Sequence, residues 1–211
     1  MAATTKNRVS GRNGDIVEHK GGVGVVTYAQ PYAVDVEIKG TEAILFHRYD
    51  CESVRVKGDA KKGSVAKKTD DIDSYVYRDK NGELCMPGVN IKKSIIDSAR
   101  YAQDPRSPRK SAKDLMRAAI KIPGDASFGV KTWAYIDKRP VQVQMNRITR
   151  ARPALEPGWR LSFRIDVLLP EYIGEDFLHD LLERAGRTIG IGDFRPDFGS
   201  FAVVSFHRSG D

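Results

Sequence analysis

Near its C-terminal end the chain runs Arg187-Thr-Ile-Gly190-Ile-Gly192-Asp193-Phe194-Arg195-Pro-Asp197-Phe198-Gly199-Ser-Phe201. This stretch constrains the fold strongly, because it joins a helical pattern (Gly174 to Gly186) to a strand pattern (Phe201 to Phe206). Glycine tolerates positive φ and close backbone approach, so such a run bends tightly against something. Its N–H groups are expected to cradle a phosphate, with Arg195 supplying charge and Phe194 and Phe198 supplying stacking or anchoring surface. A helix C-cap plus a turn, with both phenylalanines in the core, fits the same spacing. Two enzymatic readings are excluded. A dinucleotide fingerprint places its glycines after a strand and before a helix, the reverse of the order here, and a P-loop needs G-K-[ST].

The charge is unevenly spread. The net charge of +7 comes from 35 basic and 28 acidic residues. The excess lies in Arg55 to Lys68, with six basic residues against Asp59, and in Arg100 to Lys121, with seven against Asp104 and Asp114. Clustered Lys and Arg favour polyanions through counterion release, although a solvated surface uses the same residues. Cys51 and Cys85 stand apart with no C-x-x-C spacing, so neither a zinc site nor a disulfide framework is expected. Asp70, Asp71 and Asp73 sit in a polar stretch and are expected to meet water rather than metal. No apolar run is long enough to span a bilayer, and the first residues lack the apolar core of a signal peptide, so a cytoplasmic protein is expected. No cofactor motif is present.

Residues 1–29 read as a flexible arm, and 30–211 as one domain with insertions at about 48–88 and 103–127. Val34, Val36 and Ile38 alternate with Asp35, Glu37 and Lys39 in a strand expected over 33–47, with a bulge at Gly40-Thr41. Asp79-Lys-Asn81-Gly82 is a hairpin signal. Ile91, Ile95, Ile96, Ala99 and Ala102 recur at helical spacing over 90–102, with Asn90 as N-cap. A proline-broken basic loop with Arg106, Arg109 and Lys110 follows, then a short basic helix through Leu115, Met116 and Ala119. Val141, Val143 and Met145 alternate with Gln142 and Gln144, and the strand continues to residue 155 with Arg150 and Arg152 on one face. The Pro157-Gly158 turn leads to the clearest strand, Leu161, Phe163, Ile165 and Val167 against Arg160, Ser162, Arg164 and Asp166. Phe177, Leu178, Leu181, Leu182 and Ala185 then mark an amphipathic helix that Gly186 stops. Without insertions the order is β-α-β-β-α-β, an α+β, ferredoxin-like arrangement with both helices on one face of an antiparallel sheet.

A core of this order, whose second helix enters a glycine-rich loop ending Phe198-Gly199-Ser-Phe201, resembles the RAMP (repeat-associated mysterious protein) superfamily of CRISPR RNA-binding backbone subunits and processing endonucleases. Gly190-Ile-Gly192 with Arg195 resembles its C-terminal G-loop, and Met86-Pro87-Gly88-Val-Asn-Ile-Lys92 resembles the start of its first helix, with Lys93 where members usually have glycine. The runs Pro-Arg-Ser-Pro-Arg-Lys-Ser-Ala and Phe-Arg-Pro-Asp-Phe-Gly also resemble uncharacterised phage and prophage proteins.

The resemblance implies a single-stranded RNA or DNA partner, head-to-tail oligomers or filaments along the strand, and no membrane. Lys92, Lys93, Arg150, Arg152, Gly190, Gly192 and Arg195 are the expected nucleic-acid contacts, with Phe194 or Trp159 as a stacking platform, Trp159 serving equally well as a cover for its hairpin. Arg106, Arg109 and Lys110 belong to a basic arm that clamps the strand or meets the next protomer. The family's endonucleases use a histidine as base and some backbone subunits an aspartate after the first strand, which makes His47 and Asp50 the catalytic candidates; a non-enzymatic binding role is the expectation. The alternatives are a metal-independent endoribonuclease and a phage protein that mimics a backbone subunit within a host complex.

Overall fold

The computed structural model describes residues 16–17, 28–49, 71–143 and 146–210. The basic stretch at 55–68, Asp50 and most of the expected N-terminal arm lie outside these. Among the described residues no helix is long and apolar enough to cross a membrane. The strands are β1 (Ile16–Val17), β2 (Tyr28–Ala29), β3 (Tyr32–Gly40), β4 (Ile44–Leu45), β5 (Tyr77–Arg78), β6 (Leu84–Pro87), β7 (Gln103–Asp104), β8 (Ser107–Ser111), β9 (Ile120–Lys121), β10 (Asp125–Ser127), β11 (Tyr135–Val143), β12 (Asn146–Leu155), β13 (Arg160–Val167) and β14 (Phe201–Arg208). The helices are α1 (Gly88–Ser98), extended by a 3₁₀ turn Ala99–Tyr101, α2 (Lys113–Ala119) and α3 (Glu175–Thr188).

The central sheet has the order β14-β3-β13-β9, with every pairing antiparallel. β3 sets Val36 opposite Phe163 of β13 and opposite Phe206 of β14. Val34, Val36 and Ile38 of β3 and Leu161, Phe163, Ile165 and Val167 of β13 point into the core, where Ile91 and Ile95 of α1 and Leu178, Leu181, Leu182 and Ala185 of α3 cover them. Burying one apolar face of a sheet under two amphipathic helices is the ferredoxin-like solution. The polar groups trapped between the helices are satisfied: Ser98 Oγ donates to Leu181 O at 3.0 Å and Ser94 Oγ to Gly190 O at 2.8 Å.

Several expectations change in detail. The second core strand is the short β9 rather than residues 141–155. Residues 141–143 end β11 and 146–155 form β12, so the expected single strand is two; β12 pairs along its length with β11, from Tyr135 opposite Ala154 to Val143 opposite Asn146, and residues 144 and 145 lie outside the described residues. This long hairpin joins the fold through β4, where Ala154 lies opposite Leu45 and Leu155 opposite Ile44. The expected strand over 33–47 is therefore split between two sheets. Gly40 marks the exit: the Trp159 indole lies across it where a Cβ would stand, and Gly40 N donates to Trp159 O at 2.8 Å.

Gly186 does not stop α3. It sits inside the helix because a Cβ there would collide with the Phe201 carbonyl, so a helix-weakening residue is kept for close packing of β14. Asn90 is not an N-cap, since α1 begins at Gly88 with Pro87 as cap, and Gly88 N donates to Gly124 O at 3.1 Å. The basic loop after α1 is a small hairpin, β7 with β8. The Asn81-Gly82 turn between β5 and β6 and helix α2 form where the sequence places them.

Candidate nucleic-acid interface

The G-loop follows α3 and bends back on the end of β4. Gly190, Gly192 and Gly199 have φ of 71, 90 and 74°. A Cβ on Gly192 would stand 2.7 Å from Leu45 O, so only glycine fits. The loop's amides are spent on protein carbonyls. Ile191 N donates to Gly199 O (3.0 Å), Asp193 N to Leu45 O (2.9 Å), Gly199 N to Ala43 O (2.8 Å) and Gly190 N to Ala185 O (2.8 Å). Phe194 N donates to Asp193 Oδ1 at 3.0 Å. The expected phosphate cradle of N–H groups is therefore not formed at these positions; the loop is a rigid clasp that aims side chains.

Those side chains close a cleft of about 290 Å³. Asp193 and Arg195 come from the G-loop, His47 and Tyr49 from the chain after β4, Asn90 and Lys93 from the first turns of α1, and Tyr77 from β5. Arg195 is exposed, with no acidic group within 4 Å among the described residues, and Tyr49 is 69% exposed. Lys93 Nζ lies 3.9 Å from Asp97.

Behind the cleft lies a charge network. Asp193 Oδ2 accepts from Arg152 Nε at 2.8 Å and stands 3.4 Å from His47 Nδ1. The Arg152 guanidinium packs over Tyr75, 4.8 Å from the ring centroid, and His47 meets the same ring edge-on at 5.5 Å. Arg152 is only 4% exposed, so it does not reach a ligand; it holds Asp193 and through it the G-loop. A second clasp sits alongside, with Arg139 of β11 stacked 4.3 Å over Phe198. Arg150 lies opposite Arg139 in the hairpin and is half-buried, so the basic hairpin face continues upward from the cleft.

The remaining expected contacts fall elsewhere. Lys92 is half-buried on α1 beside the cleft. Gly190 is buried, whereas Gly192 lines the cleft. Arg106, Arg109 and Lys110 lie past the far end of α1, and Arg106 is tied to Asp104 through Nε (3.0 Å) and NH2 (2.7 Å). That hydrogen bonding from Arg106 holds the Asp104 carboxyl down at about 2. Trp159 is not a platform: it is 7% exposed and its Nε1 donates to Glu42 O at 2.8 Å. Phe194 is half-buried with φ of 54°, an unusual conformation for a bulky residue.

The outward positions of β3 and β13 are charge-matched. Lys39, Arg160 and Arg164 are matched there by Asp35, Glu37 and Asp166, with Arg160 to Glu37 at 2.6 Å and Arg164 to Asp166 at 2.9 Å. The outward positions of β3 and β13 carry no Phe, Tyr or Trp.

Sequence reasoning missed Tyr49, Tyr77 and the role of Asp193. The spacing of Tyr49 from His47 was a usable signal; the others depend on contacts between distant segments. β11 was missed because Lys138-Arg139-Pro140 interrupts its alternation, which an outer strand of the order β11-β12-β4 tolerates.

No protein-family model and no curated protein matches the chain. Solved structures do. The cryo-EM structure of the type III-B Cmr-beta bound to cognate target RNA contains a chain that superposes with a TM-score of 0.54 at 13% identity, covering 84% of this chain and 60% of that one. The fold is RAMP-like. Crystalline Cmr6 from Pyrococcus furiosus also matches, at 10% identity and a TM-score of 0.44, over 82% of this chain and 97% of that one. The chain here thus spans about 60% of the length of that Cmr-beta chain. The G-loop, the start of α1 and the chain after β4 meet at one opening.

Proposed function

We propose that this RAMP-like chain binds single-stranded RNA as a subunit of a larger ribonucleoprotein, and that copies of it line up along the strand. The observation that carries the reading is the cleft, where Arg195, Lys93 and the exposed ring of Tyr49 converge from three separated segments. Cations for phosphates beside an aromatic face for a base are the components of sequence-tolerant single-strand binding. The fold shared with a chain of the Cmr-beta structure, which is bound to cognate target RNA, supports the same reading. Arg150 extends the contact up the hairpin, while Arg152 and Asp193 keep the cleft in shape.

Salt titration of binding to labelled single-stranded RNA tests this. Arg195→Ala and Lys93→Ala should each lower the slope of log K against log salt by about 0.7, the value for one phosphate contact on a single strand. Wild-type slopes in both variants would reject the cleft. The ratio of absorbance at 260 and 280 nm with the light-scattering mass, at low and high salt, tests assembly: both should fall as salt rises. The same titration on DNA of equal length separates the two nucleic acids, because only RNA offers the 2′-hydroxyl.

The 3.4 Å approach of His47 Nδ1 to Asp193 favours a second reading, cleavage of the bound RNA. His47 would take the proton of a 2′-hydroxyl, the oxygen would attack the adjacent phosphorus, and the 5′-oxygen would leave, giving a 2′,3′-cyclic phosphate. RNA incubated without divalent ions should then be cut by wild type and left intact by His47→Ala. Intact RNA with wild-type protein retires this reading and leaves the binding reading standing.

A further inference from the structure

We infer that the single strand held in the cleft continues along the exposed face of α1 to a second contact at its far end, a stacking platform made by Tyr101 and Tyr172. The inference rests on the binding reading above and extends it. Lys93, at the cleft, and Arg100, in the 3₁₀ turn that prolongs α1, are both exposed and seven residues apart. Two helical turns put them on the same face, about 10 Å apart along the axis. Asp97 lies between them and is already matched by Lys93 and Lys113, each at 3.9 Å, so it does not repel a phosphate chain.

The far end has a composition unlike the rest of the surface. Tyr101 is 64% exposed and Tyr172 41% exposed, and both flank the β7–β8 hairpin. Arg106 bridges the hairpin to Tyr172, its Cζ 5.7 Å from the ring centroid, and its position is set by the buried Asp104. Arg109 and Lys110 are exposed on β8 with no acidic group within 4 Å among the described residues. Glu171 is the exposed acid next to Tyr172. Open rings beside free cations bind a base and its phosphate together, which a merely solvated basic surface does not require.

The test compares a labelled uridine dinucleotide with an oligouridylate of about 16 nucleotides, the short one filling only the cleft and the long one reaching the platform. The pair Y101A/Y172A should weaken the long oligomer by about tenfold or more and leave the short one unchanged. The pair Y101F/Y172F, which keeps the rings, should bind the long oligomer like wild type. Unchanged long-oligomer affinity in the alanine pair overturns the inference, as does an equal loss in the phenylalanine pair. Failure of the underlying reading would look different: Arg195→Ala would leave both oligomers bound as before.

Discussion

Arg152 Nε meets Asp193 Oδ2 at 2.8 Å across 41 residues of sequence, joining the β11–β12 hairpin to the G-loop behind the cleft. The arginine side chain is 5% exposed and the aspartate 28%, so the pair is inside the protein on one side and wet on the other.

Removing the arginine leaves a partly buried carboxylate without its main donor. Arg152→Ala should destabilise the fold by about 2 kcal/mol, less than for a fully buried pair because water reaches Asp193. Arg152→Lys should recover little of this, since one ammonium cannot both donate to Asp193 and lie flat over Tyr75. Urea denaturation of the three proteins measures both differences.

The glycines divide into those that need their lack of a Cβ and those that need only their φ. Gly199→Ala would force a Cβ into the Ile191 carbonyl at φ of 74° and should cost more than about 3 kcal/mol. Gly82→Ala has a similar φ of 77° but open space around it, and should cost about 1 kcal/mol. Thermal melts should rank the two in that order, and equal losses would contradict the clasp geometry.

Asp104 ties stability to acid. Its pKa is lowered to about 2 by hydrogen bonds from Arg106. A depressed carboxyl stabilises the folded state above its unfolded pKa of about 3.9, and the contribution disappears as pH falls toward 2. The stability gap between wild type and Asp104→Asn should therefore be full at neutral pH and shrink between about pH 4 and pH 2. Melting curves followed by circular dichroism across that range would show it.

Cys85 should be chemically silent in the folded protein. Burial pushes its thiol up to about 11, with Asp125 and Asp79 adding to the effect, and its side chain is fully enclosed. Because the thiolate is the reacting species, iodoacetamide at pH 8 should modify Cys85 only after denaturant is added. Peptide mapping by mass spectrometry reads this directly, and rapid labelling of native Cys85 would contradict the packing of β6.

Much of the framework was legible in residue order. The strict alternation of Leu161 to Val167 and the helical spacing of Leu178, Leu181, Leu182 and Ala185 each placed an apolar face correctly. The Asp79-Lys-Asn81-Gly82 turn and the positive-φ glycines of the G-loop were readable from local chemistry. Strand partnership was not. Residues 141–145 alternate and read as the start of one strand to 155, yet 141–143 end β11, β12 pairs with β11 and β4, and the central sheet takes its fourth strand from the two residues Ile120–Lys121. Alternation shows that a segment is half-buried and says nothing about what it lies beside.

The sequence by itself determined the apolar faces of β3, β13, α1 and α3, the tight C-terminal bend and the basic character of the surface, because periodicity, φ preference and charge are properties of residues and their near neighbours. Only the tertiary structure decided that Arg152 is a strut, that the G-loop amides bond to the protein's own carbonyls, and that Lys93, Arg195 and Tyr49 share one cleft. Those outcomes depend on which distant segments pack together. That choice is made by the summed burial and hydrogen bonding of the whole chain, to which any one segment contributes only a part.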